Sequence, residues 1–62
     1  MIDVNRVYAI DSGFGIFVTV DLKDKSISIP LSYQEANSMP LDELSALKWL
    51  MENMYITKDE LQ

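Results

Sequence analysis

Between Leu41 and Tyr55 apolar residues recur at helical spacing. Stepped at about 100° per residue, Leu44, Leu47, Leu50, Met51, Met54 and Tyr55 fall on one arc, with Leu41 at its margin. This spacing predicts an amphipathic helix over 41–55 that lays the arc against the core. Asp42, Ser45, Glu52 and Asn53 lie opposite, and Trp49 projects with them, roughly 170° from the centre of the arc. The chain's single tryptophan is therefore expected to point away from its own helix's core.

Upstream the period changes to two. Ile16, Val18, Val20 and Leu22 alternate with Phe17, Thr19 and Asp21, and Ile27, Ile29 and Leu31 alternate with Ser26, Ser28 and Pro30. Strands over about 16–22 and 27–31 follow, paired as a hairpin with Leu22 opposite Ile27, Val20 opposite Ile29 and Val18 opposite Leu31. A two-residue turn at Asp24-Lys25 or a four-residue loop from Lys23 to Ser26 meets that register. The tight turn would set Pro30 at a hydrogen-bonded position opposite Thr19, where proline has no N–H to give, and would ask Lys25 for a positive φ. The longer loop is favoured, with the third strand at a sheet edge. A first strand, about 6–10, ends in the loop Asp11-Ser12-Gly13-Phe14-Gly15. Period two leaves open whether Tyr8 and Ile10 or Val7 and Ala9 face inward.

Two capping boxes punctuate the rest. Ser32 with Glu35 predicts a short helical turn over about 33–38, stopped ahead of Pro40, which disfavours the α conformation at Met39. Asp42 and Glu43 sit where a helix dipole favours negative charge. Thr57 with Glu60, flanked by Ile56 and Leu61 as a hydrophobic staple, predicts a capped turn over 57–62 that docks on the domain or orders against a partner. The elements add up to one small α+β domain, a three-stranded antiparallel meander with one face packed by the C-terminal amphipathic helix.

Composition narrows what such a domain does. A chain of 62 residues buries only about 60% of the surface its unfolded form exposes, so stability rests on tight packing or association. With no cysteine and no histidine, disulfides and the usual zinc sites are excluded, as are thiol nucleophiles and histidine-based acid–base catalysis. The Gly13-Phe14-Gly15 pattern lacks a third glycine and leads into a strand, where a dinucleotide site needs a helix. The carboxylate pairs Asp21/Asp24 and Asp59/Glu60 lack EF-hand spacing. Neither a metal nor a cofactor is expected, and the chain is not read as an enzyme.

A net charge of −5 disfavours direct nucleic-acid binding. The ten acids, Asp3, Asp11, Asp21, Asp24, Glu35, Asp42, Glu43, Glu52, Asp59 and Glu60, are spread without a run of four. An acidic mimic of nucleic acid, blocking a basic site on a nucleic-acid-binding protein, is accordingly an alternative, and a homo-oligomeric structural subunit is another. The leading expectation is an interaction protein, an inhibitor or regulator, that binds another protein through an outward face of Trp49, Ala46, Asn53 and Asp42, with Phe17 on the wetter sheet face as a further contact. No apolar run approaches the roughly 18 residues of a membrane span, and Met1 to Val7 lacks the pattern of a signal peptide. Lys58-Asp59-Glu60-Leu61 resembles a retrieval signal but is followed by Gln62, so a cytoplasmic location is expected. Size alone suggests an accessory protein of a phage or mobile element.

Overall fold

The computed structural model describes residues 4–62; Asp3 and the start of the Met1–Val7 stretch lie outside the described residues. In chain order the elements are β1 (Val4–Asp11), β2 (Ile16–Leu22), β3 (Ser26–Leu31), α1 (Tyr33–Ala36) and α2 (Glu43–Glu52). The strands form one antiparallel sheet in the order β1-β2-β3, and α2 packs over one face along β1. This is the α+β meander that the alternation predicts.

Pairing sorts the side chains between the two faces. Val7 lies opposite Val20 and Ala9 opposite Val18, while Val20, Val18 and Ile16 lie opposite Ile27, Ile29 and Leu31. Val7, Val18, Val20, Leu22, Ile29 and Leu31 are buried on that side. The open question in β1 is thereby answered: Val7 and Ala9 share the core face, and Tyr8 and Ile10 take the other. A one-residue bulge at Asn5, between the pairs Val4–Leu22 and Arg6–Asp21, restores Val4 to the core face.

The second hairpin differs from expectation by two residues. Its last ladder pair is Asp21 with Ser26, and the Leu22 N–H donates to the Lys25 carbonyl at 2.8 Å, leaving Lys23 and Asp24 at the tip. Every aliphatic pair slides with it, and an even slip leaves each side chain on its expected face. The Ser26 hydroxyl donates to Asp21 Oδ1 at 2.6 Å and ties the two strands at the end of this ladder. The Leu22 N–H points at Lys25 across the strands, so by alternation Pro30, opposite Phe17, falls at a non-bonded position with its nitrogen facing out of the edge strand.

The helix is shorter than its apolar arc and turned by about 80° from the expected orientation. Ala46 and Leu50 are buried against the sheet, and Leu47, Trp49 and Met51 flank them half-buried. Leu44 is instead 77% exposed, Leu41 is fully exposed and Met54 is 87% exposed. Small Ala46 gives the helix a flat contact with the sheet, and that contact sets the rotation. Asp42 is the N-cap, accepting from the Ser45 N–H at 2.9 Å, so the first turn begins at Glu43.

At the other end Asn53 caps and Met54 takes φ 63°, the only positive φ on a non-glycine residue among the described residues. The Met54 N–H donates to the Met51 carbonyl at 3.2 Å and the Tyr55 N–H to the Leu50 carbonyl at 2.9 Å, which is a Schellman closure. Met54 and Tyr55 thus leave the helix, and the apolar arc loses its last two members. Both capping boxes form as expected: the Ser32 N–H donates to Glu35 Oε1 at 2.9 Å and the Thr57 N–H to Glu60 Oε1 at 2.9 Å. The tail docks, because Ile56 and Leu61 are buried in the core on either side of its turn.

Candidate interaction surface

The residues expected to form an outward helix face do not form one. Ala46 is 3% exposed and inside the core. Trp49 is half-buried, packed on the core, and stacked on Tyr55 with ring centroids 5.2 Å apart and planes at 29°. Asn53 turns its Nδ2 back to donate to the Trp49 carbonyl at 2.8 Å, and Asp42 is occupied as the N-cap. The helix rotation is the cause: it buries Ala46 and brings the Trp49 ring in against the core. Asp42 and Asn53 stay exposed on the outer side of the helix, and Phe17 is partly exposed on the second face of the sheet, as the sequence places them; Ala46 and Trp49 are the two that move inward.

A chain of polar contacts holds α1 between two ends of the molecule. The Tyr33 hydroxyl donates to Asp11 Oδ1 at 2.6 Å, and the Tyr55 hydroxyl donates to Glu35 Oε2 at 2.8 Å. The Tyr33 phenol, helped by the Gly13 N–H, holds the Asp11 carboxyl below its ordinary pKa, and the carboxylate in turn raises that of Tyr33. Glu35 is held low first by the Ser32 N–H and then by the Tyr55 phenol, whose own pKa rises. The Ser45 N–H does the same for Asp42.

The uncovered face of the sheet carries three cross-strand rows set by the pairing. They are Arg6–Asp21–Ser26, Tyr8–Thr19–Ser28 and Ile10–Phe17–Pro30. The polar row lies at the β2–β3 turn, where the Arg6 guanidinium sits 3.9 Å from the Tyr8 ring centroid. The apolar row lies at the opposite end, with Ile10 52% and Phe17 42% exposed. Beside it the β1–β2 loop presents Phe14, 98% exposed.

That loop is closely tied. The Ser12 N–H donates to the Gly15 carbonyl at 2.9 Å, the Gly13 N–H to Asp11 Oδ1 at 2.8 Å and the Phe14 N–H to the Ser12 hydroxyl at 3.3 Å. A Cβ on Gly15 would lie 2.7 Å from the Leu31 carbonyl oxygen, so glycine lets the loop rest against the end of β3. Phe14, Phe17, Pro30 and Leu31 border a shallow hollow of about 250 Å³ at this end. Ile10 and Phe14 were missed from sequence: the first depends on the register of β1, and the second sits in a loop that no periodicity reaches.

Of the nine acids among the described residues, six accept hydrogen bonds from the chain's own donors: Asp11, Asp21, Glu35, Asp42, Glu43 and Glu60. Their placement is explained by capping, turns and strand ends. No group of three or more potential ligands that could hold a metal ion occurs among the described residues. No helix among them is long and apolar enough to cross a membrane. No protein-family model matches the chain, and no curated protein or solved structure is significantly similar to it.

Proposed function

We propose that this chain is a non-enzymatic interaction module, an inhibitor or regulator, that binds protein through the open face of its sheet with Phe17 at the centre of the contact. The observation that carries this reading is the apolar row Ile10–Phe17–Pro30 on a face no helix covers, extended by the fully presented Phe14. Contiguous exposed apolar surface costs solubility, and aromatic side chains are enriched at the centres of protein contacts. The absence of cysteine and histidine from the sequence removes the commonest nucleophile and general base, which supports a binding role over a catalytic one. The internal duties of six acids weaken the alternative of a nucleic-acid mimic, which needs carboxylates aimed outward in register.

Photo-cross-linking tests the reading. A benzophenone side chain at position 17, compared with one at position 44 on the exposed side of α2, is expected to give protein adducts at position 17 well above those at position 44. Equal yields at the two positions overturn the assignment of the sheet face.

A further inference from the structure

We infer that the edge of β1 beyond Val7 is a second, separate contact site, which takes an extended basic segment of a partner protein as an added strand. Parity along β1 fixes which main-chain groups are free. The Ser12 N–H bonds across to the Gly15 carbonyl, so counting back in twos Ile10 and Tyr8 exchange bonds with β2, while Asp11, Ala9 and Val7 aim their N–H and C=O away from it. Glu43 takes the Val7 N–H. Among the described residues no hydrogen bond engages the outward N–H and C=O of Ala9, which is exposed. An added strand therefore pairs at Ala9 and Asp11 and stops at Val7.

The core side of this edge has room for a side chain. α2 begins over the first half of β1, where Glu43, Leu44 and Leu47 meet Val4 and Val7, and α1 lies against β3. The second half of β1 is left beside a hollow of about 440 Å³, lined by Ala9, Ile16, Tyr33, Ala36, Met39 and the fully exposed Leu41. Residues opposite one another in neighbouring strands point to the same face, so the partner residue opposite Ala9 brings its side chain to this hollow. The lining is mostly apolar and selects an apolar residue there.

Charge names the flanking residues. No lysine or arginine occurs from Val7 to Leu22 or from Ser26 to Leu47. The charged side chains on the stretches that border the hollow, 7–16 and 33–43, are Asp11, Glu35, Asp42 and Glu43, all acidic. With the apolar residue opposite Ala9, the residues two before and two after it stand opposite Asp11 and Val7, the latter beside the Glu43 carboxylate. Both positions favour lysine or arginine. The occupant is thus a strand of pattern basic-x-apolar-x-basic. No two basic residues of this chain stand four apart, so a second copy does not supply that pattern.

An NMR titration of the isotope-labelled full chain with the peptide Ac-Thr-Lys-Thr-Leu-Thr-Lys-Thr-amide tests this. Saturable amide shifts are expected at Ala9, Asp11, Met39 and Leu41, with a Kd on the order of 0.1–1 mM for so short a strand on one edge. The same peptide with glutamate for lysine, and one with N-methyl leucine, which has no N–H for the Ala9 carbonyl, are each expected to bind at least tenfold more weakly. Ala9→Pro, at an outward position like that of Pro30, keeps the ladder to β2 and is expected to weaken the lysine peptide to the same degree. Asp42→Asn, which keeps the helix cap, is expected to weaken it severalfold. The absence of a saturable shift at Ala9 and Asp11 overturns the site, and so does equal binding of the glutamate or the N-methyl peptide. Shifts at Ala9 on dilution of the chain alone would give the edge to a second copy and overturn the basic strand as occupant. The open face around Phe17 is decided separately, by cross-linking from position 17.

Discussion

Tyr55 stacks its ring on Trp49, centroids 5.2 Å apart, while its hydroxyl donates to Glu35 at 2.8 Å. One side chain thus joins the end of α2 to α1, and the tryptophan becomes part of the scaffold. Truncating Trp49 to alanine is expected to cost about 2 kcal/mol, below the cost at a fully buried site because the ring is half-buried. Urea unfolding followed by circular dichroism measures it, and an unchanged midpoint would return Trp49 to the surface.

Met54 closes α2 at φ 63° with its side chain 87% exposed. Left-handed backbone costs an L-residue roughly 1–2 kcal/mol, and glycine escapes that cost at the price of a more flexible unfolded chain. Met54→Gly is expected to stabilise the protein by about 0.5–1 kcal/mol, a rise in Tm of several degrees for a chain of this size. Calorimetry gives the answer directly, and a lower Tm would mean that the methionine side chain has a role in the fold.

Gly15 is expected to tolerate nothing larger. A methyl group there would lie 2.7 Å from the Leu31 carbonyl oxygen, which is backbone and has no rotamer with which to give way. Gly15→Ala should destabilise by about 2 kcal/mol or more, while Gly13→Ala, with open space around its Cβ position but φ 86°, should cost only about 1 kcal/mol of backbone strain. Paired urea titrations of the two variants rank them.

Stability should fall at both extremes of pH, for opposite reasons. Asp11, Glu35 and Asp42 are held below their ordinary values of 3.8, 4.5 and 3.8, so their contribution is present above those values and is lost as pH falls through the lower folded ones. Tyr33 and Tyr55 are raised above 10.0, so theirs is complete below that value and is lost as pH rises through the folded ones. In a Tyr33→Phe/Tyr55→Phe double variant the alkaline loss should shrink. Asp11 should return towards its ordinary value, because Tyr33 is its main donor, whereas Glu35 should return only in part, because the Ser32 N–H remains. Unfolding free energies from acid to alkaline pH test the pattern, and an unchanged alkaline limb would contradict it.

The sheet was legible because alternation is a local signal that survives a register slip of two. Val18 and Val20 face the core whether Ile29 and Ile27 or their neighbours sit opposite. The capping boxes were legible for the same reason, each being complete within four residues. The helix face was not. Its arc was drawn through the largest apolar side chains, whereas the contact was set by small Ala46, and that depends on how closely the sheet approaches. The helix stop at Met54 carried no glycine to announce it. Of the contact residues, Phe17 followed from its place on the wetter face, while Trp49 required a packing partner, Tyr55, that lies beyond the end of the helix.

Glu43 reaches from the first turn of α2 to accept the outward Val7 N–H at 3.1 Å. A helix side chain thereby occupies a main-chain donor on the free side of β1, at the position where an incoming strand would begin to pair. The other margin of the sheet has no such plug among the described hydrogen bonds and relies on Pro30. A strand that approaches β3 meets the Pro30 nitrogen, which has no N–H to give, and one that approaches β1 at Val7 meets a carboxylate. Each margin thus carries one position at which an arriving strand finds no free donor, Val7 on β1 and Pro30 on β3, and both work against edge-to-edge growth.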